Sequence, residues 1–78
     1  MQKSVDNTIT FRKDRYHEIG AMEYWCADHI GKGGWSFETP KSWEGMNGKI
    51  WVMYGMFGNT TFVFKESKHL TMFLLRWS

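Results

Sequence analysis

The run from Lys49 to Trp77 constrains the fold more than any other part of the chain. Lys49 to Phe57 and Thr60 to Lys65 are rich in β-branched and aromatic residues, and Gly58-Asn59 between them is a turn signal. Leu70, Phe73, Leu74 and Trp77 then recur at helical spacing, with Ser67 placed to cap the helix. The stretch therefore reads strand, tight turn, strand, helix. Along 49–57 both sides are apolar, Ile50, Val52, Tyr54 and Met56 on one and Trp51, Met53 and Phe57 on the other. That is the pattern of a central strand, and its second face must be covered or else form an adhesive surface. Nothing in this stretch carries a chemical signature.

The upstream half supplies the remaining elements. Residues 1–7 are polar and expected to fray, and Thr8 to Phe11 alternates as a short strand. A helix is expected over 14–30, with Asp14 as its cap. Ile19, Met22, Cys26 and Ile30 form its apolar stripe, and Tyr16 lies one turn earlier. Gly31-Lys32-Gly33-Gly34 stops it, because glycine is unfavourable inside a helix and readily ends one. Trp35 to Thr39 alternates as a strand closed by Pro40, and Lys41 to Gly48 is a loop whose Trp43 packs over a sheet edge or faces a partner. The expected architecture is an α+β domain spanning 1–78, in the order β-α-β-β-β-α. Its sheet is antiparallel with three to four strands, and both helices share one face. A ferredoxin-like relative fits, short of the strand that would follow the last helix.

Composition sharpens the question of surface. Five Trp, six Phe, three Tyr and six Met in 78 residues are more bulk than so short a chain buries, so some rings should stand outside and serve a partner or a dimer interface. The net charge is only +2, from ten basic against eight acidic residues, which does not by itself identify a nucleic-acid binder. Lys3, Arg12, Lys13 and Arg15 make the N-terminal end basic, while Glu18, Glu23 and Asp28 make the next segment acidic. Cys26 is the sole cysteine, so no intrachain disulfide forms. No apolar run approaches the length of a bilayer span, and Met1-Gln2-Lys3-Ser4 leads into no signal-type apolar region. The expected location is the cytoplasm.

Candidate chemistry is sparse. Cys26 and His29 are three apart on the first helix, but His17 and His69 stand at no spacing that completes a zinc set, and Cys26 lies inside the apolar stripe. None of the three histidines has a nucleophile and an orienting carboxylate placed by a known motif. Gly31 to Gly34 leads out of a helix C-terminus, whereas a phosphate-cradling loop leads into a helix N-terminus. No catalytic set, metal site or cofactor is expected. The surface cue is stronger. Trp35, Trp43, Trp51, Met53 and Phe57 are the candidate partner-binding residues, on the second sheet face and the adjoining loop. Such a surface fits a protein partner or a second copy of the chain. It also fits single-stranded nucleic acid, with Arg12, Lys13 and Arg15 meeting phosphates.

The C-terminal third, Phe57-Gly58-Asn59-Thr60-Thr61-Phe62-Val63-Phe64-Lys65 followed by Met72-Phe73-Leu74-Leu75-Arg76-Trp77, resembles the ending of small accessory proteins of tailed bacteriophages. The shared pattern is a glycine turn, a Phe-x-Phe-Lys strand, an acidic residue (here Glu66) and a helix closing on Phe-x-Leu-Arg-Trp. Tyr24-Trp25-Cys26 and Gly34-Trp35 are similar to the first half of the same group. The resemblance implies a phage-encoded protein acting in the cytoplasm of a bacterial host. It implies binding to a host protein, with inhibition or redirection of that target, and no catalytic residue.

Overall fold

The computed structural model describes residues 7–37, 43–44 and 46–77. The expected order of elements holds: β1 (Thr8–Phe11), a 3₁₀ segment (Lys13–Glu18), α1 (Ile19–His29), β2 (Gly33–Trp35), β3 (Trp51–Met56), β4 (Asn59–Phe64) and α2 (Ser67–Trp77). The four strands form one sheet in the order β1-β4-β3-β2. β4 pairs antiparallel with both β1 and β3.

The sheet is mixed rather than wholly antiparallel, because β2 runs parallel to β3 with Gly33 opposite Trp51 and Trp35 opposite Met53. The reason lies in the chain that leaves α1. Ile50 N–H donates to the Lys32 carbonyl at 2.8 Å, Ser36 N–H donates to the Met53 carbonyl at 2.8 Å, and Trp51 Nε1 donates to the Gly31 carbonyl at 2.8 Å. These bonds bring β2 in beside the start of β3 and pointing the same way. The chain must then return from Ser36 to Ile50, the long connection that parallel neighbours require. β2 also lies upstream of the expected 35–39, of which residues 38–42, including Pro40, lie outside the described residues. Glycine is what permits the shift. A Cβ on Gly33 would overlap the Trp51 ring and carbonyl, so only glycine lets the strand cross that indole.

Both helices cover one face of the sheet. Ile19, Met22 and Cys26 from α1 and Phe73 from α2 meet Phe11, Trp51, Met53, Phe62 and Phe64, with Ile9, Trp25, Leu70 and Trp77 partly buried around them. Trp51 and Met53 therefore belong to the core, not to an exposed platform. Their register explains it: Trp51 lies opposite Phe64 and Met53 opposite Phe62, and Phe73 seals that face with ring centroids 4.9 Å from Phe62 and 5.2 Å from Phe64. The opposite face is buried in part. Val52 and Val63 are fully buried there, and Thr10 and Thr61 share a hydroxyl hydrogen bond of 2.8 Å across β1 and β4.

Two local departures matter for the surface. The first helix begins as a 3₁₀ segment preceded by Arg12, whose side chain makes no capping hydrogen bond, and Arg15 breaks its geometry (φ −104°, ψ 15°). A 3₁₀ turn advances each residue by more than an α-turn, so the apolar stripe does not extend back to Tyr16, which is exposed. The Asp14 side chain lies outside the described residues. The β3–β4 turn is Phe57-Gly58 rather than Gly58-Asn59, with Met56 paired to Asn59. Both turn residues have positive φ, 54° and 84°, as a two-residue turn between right-twisted strands requires.

Two expectations follow. Phe73→Ala should lower unfolding free energy by about 3–5 kcal/mol, a large share of the roughly 5–15 kcal/mol of a small domain, whereas Leu75→Ala on the exposed side of α2 should change it by less than about 0.5 kcal/mol. Urea titration of both variants measures the difference. Gly20→Ala, in open space within α1, should stabilise by about 0.5–1 kcal/mol, while Gly33→Ala should destabilise the same protein in the same titration.

Candidate functional site

The helices leave one end of the sheet face bare. There Gly55 of β3 pairs with Thr60 of β4, and with no side chain at 55 the two residues make a flat floor. Trp35, on the edge strand β2, borders this floor, and Tyr16 borders it from the 3₁₀ segment. Phe57 stands at the hairpin tip with Met56 beside it. Together they enclose a shallow open cleft of about 400 Å³. Trp35, Met56, Tyr16 and Phe57 are 51, 50, 69 and 95% exposed, an unusual density of bared apolar bulk.

Of the five residues expected to bind a partner, the structure brings Trp35 and Phe57 together at this cleft. Trp51 and Met53 lie beneath, in the core. Trp43 is half-buried in the loop before β3, where its carbonyl accepts from Met46 N–H at 3.4 Å, and it does not line the cleft. Tyr16 and Met56 were not anticipated. A 3₁₀ start to the helix would have revealed Tyr16, but no residue pattern over 13–18 signals it.

The basic set also divides. Arg15 Nε and Nη2 donate to the two Glu18 carboxylate oxygens at 3.0 and 2.7 Å, and Nη1 donates to the Trp77 carbonyl at 3.1 Å. Its guanidinium also sits 5.0 Å from the centre of the Phe11 ring. Arg15 thus ties the 3₁₀ segment to the last turn of α2, where a cation meets the negative end of the helix. The forked hydrogen bond from Arg15 holds the Glu18 carboxyl below its ordinary pKa. Arg12 and Lys13 remain exposed, and Lys13 lies along the hairpin turn, its Cδ 3.8 Å from where a Cβ on Gly58 would be.

The polar candidates do not converge. Among the described residues, no group of three or more His, Cys, Asp or Glu side chains comes together to hold a metal ion. Cys26 is fully buried, and desolvation pushes its thiol up from 9.0 to about 12, with Glu23 adding to the effect. His29 is exposed and turned away from it, stacked on Trp25 at 4.8 Å and donating from Nδ1 to the Trp25 carbonyl at 3.2 Å. His17 stands exposed, 3.8 Å from Glu18, and His69 is half-buried in the first turn of α2. No helix of the described residues is long and apolar enough to cross a membrane.

The buried thiol has a measurable consequence. The unfolded thiol loses its proton near 9, while the folded one keeps it to about 12. Its contribution to stability is therefore complete below about pH 9 and is lost as pH rises towards 12. The alkaline decline in unfolding free energy should be shallower in Cys26→Ala than in the parent protein, and iodoacetamide should label native Cys26 only at the rate of unfolding. No family model, curated protein or solved structure matches this chain.

Proposed function

We propose that this is a non-enzymatic binding protein that engages a partner protein through the aromatic cleft at the β3–β4 hairpin. The observation that carries the reading is Phe57. It is 95% exposed and held at φ 54°, a conformation that Asn or Gly adopts far more readily than a bulky residue. A hairpin tip of Asn-Gly would form the same turn at lower cost. Phe57 thus weakens the fold and contributes nothing to its core, and local strain of this kind accompanies function. Trp, Tyr, Phe and Met are also the residue types favoured at the centres of protein interfaces, and three aromatics with Met56 line this cleft.

The resemblance of the C-terminal third to tailed-phage accessory proteins gives the partner a context, a protein of the bacterial host bound and inhibited in its cytoplasm. The nucleic-acid alternative has less support. It draws on Arg12, Lys13 and Arg15, and Arg15 is committed to Glu18 and the Trp77 carbonyl.

Phe57→Asn separates binding from folding. The variant should unfold at a higher temperature than the parent, by roughly 1 kcal/mol in stability, and should lose a protein that the parent captures from nuclease-treated bacterial lysate. Capture unchanged in Phe57→Asn overturns the reading. Recovery that depends on nucleic acid favours the alternative, and a parent protein that sediments as a dimer with no other partner assigns the cleft to self-association.

A further inference from the structure

Resting on that reading, we infer that the floor of the cleft receives one bulky apolar side chain from a partner segment whose neighbouring residues are acidic. The first ground is Gly55. Its backbone has no left-handed φ, and a Cβ placed on it would meet nothing closer than the Asn59 carbonyl oxygen at 3.6 Å, an ordinary contact. The fold therefore does not need glycine at this position. Glycine inside a strand weakens it, and where neither a bulge nor a turn calls for it, it marks a close approach by another chain or ligand. Residue 55 shares the helix-side face with Trp51 and Met53, so any side chain there would fill the floor between Tyr16 and Trp35.

The second ground is charge. None of the residues lining the cleft is acidic. Lys13 is exposed, and its stem lies along Gly58 at the hairpin end of the cleft, with Cδ 3.8 Å from where a Cβ on that glycine would be. Glu18, on the same 3₁₀ segment, already accepts both bonds from Arg15. An apolar socket with Lys13 on one rim and no acidic residue in its lining complements an anionic segment that carries an apolar anchor. The cleft is also too open to enclose a free small molecule, which a binding pocket would bury on most sides.

Titration of the ¹⁵N-labelled full chain with short capped peptides tests this. A pentapeptide with Trp between paired Asp and Glu residues should shift the amides of Gly55, Asn59 and Thr60. The peptide with Ala in place of Trp, and the one with Lys in place of the acids, should each bind about tenfold more weakly or worse. Gly55→Val should abolish the shifts while keeping the native spectrum and an equal or higher unfolding midpoint, and Lys13→Glu should invert the preference between acidic and basic peptides. Equal binding of the basic peptide, indifference to Gly55→Val, or perturbation of these amides by oligo-dT and not by the acidic peptide overturns the inference. Should the peptides fail while Phe57→Asn still abolishes partner capture, the occupant assigned here is wrong and the binding surface stands. Should Phe57→Asn leave capture intact, the surface itself is wrong.

Discussion

The contact between Phe62 and Phe73, with ring centroids 4.9 Å apart, is the joint on which the rest of the molecule depends. Phe62 occupies the middle of β4, the strand flanked by β1 and β3, and its ring also meets Phe11, Trp51 and Phe64. Phe73 is the fully buried residue of α2, and it touches Phe11, Phe64, Trp25 and Trp77 as well. Every main element of the core reaches this pair directly or through one ring. Apolar burial scales with area, and aromatic rings remove the most area per residue, so a chain of 78 residues closes its core with few side chains. Concentrating the burial in one cluster has a corollary, since it leaves other aromatics with no place inside.

Trp51 performs a different task. Its ring lies under β2, and its indole N–H satisfies the Gly31 carbonyl at the end of α1. One side chain thereby helps turn the chain from the helix into the sheet and set the parallel register of β2. The helix end itself is closed by Ile30 and Gly31 N–H donating to the Cys26 carbonyl, and without the indole the Gly31 carbonyl just past it would be left unmet in a partly buried place. The glycines of 31–34 are accordingly more than a helix stop, because Gly33 is the position at which the strand passes over the indole.

The elements legible from residue types were those whose signal is periodic and local. β1, β3, β4 and α2 follow apolar alternation or helical spacing, and they lie within a residue or two of where those patterns put them. What escaped was set by contacts between distant parts of the chain. β2 has two glycines in three residues and no alternation at all, and its direction follows from bonds to Ile50, Trp51 and Met53. The choice of which face of β3 is inside was equally invisible, because both faces are apolar, and it was settled by register with Phe62 and Phe64. For the cleft, Trp35 and Phe57 were evident as surplus aromatics, but Tyr16 was hidden behind an α-helical period that the 3₁₀ segment does not follow. Met56 needed the turn to be placed one residue earlier. Gly55 carried no signal, since a lone glycine in an apolar strand reads as noise until its backbone angles show that the fold does not require it.

Two neighbouring positions in the hairpin thus run against the preferences of the structure that contains them, and in opposite senses. At 57 a bulky side chain stands where the backbone favours Asn or Gly, and at 55 a glycine stands where the backbone leaves room for a Cβ. Exchanging large for small between these sites would give a more stable hairpin with an ordinary surface. Sequences that specify a fold agree with it at each level, and the places of disagreement are where another requirement acts. Both departures shape one feature, since glycine at 55 opens the floor of the cleft and phenylalanine at 57 raises its wall. A defect of packing has no reason to be paired in this way. The binding role proposed for the cleft, an apolar socket presented to a partner, supplies one.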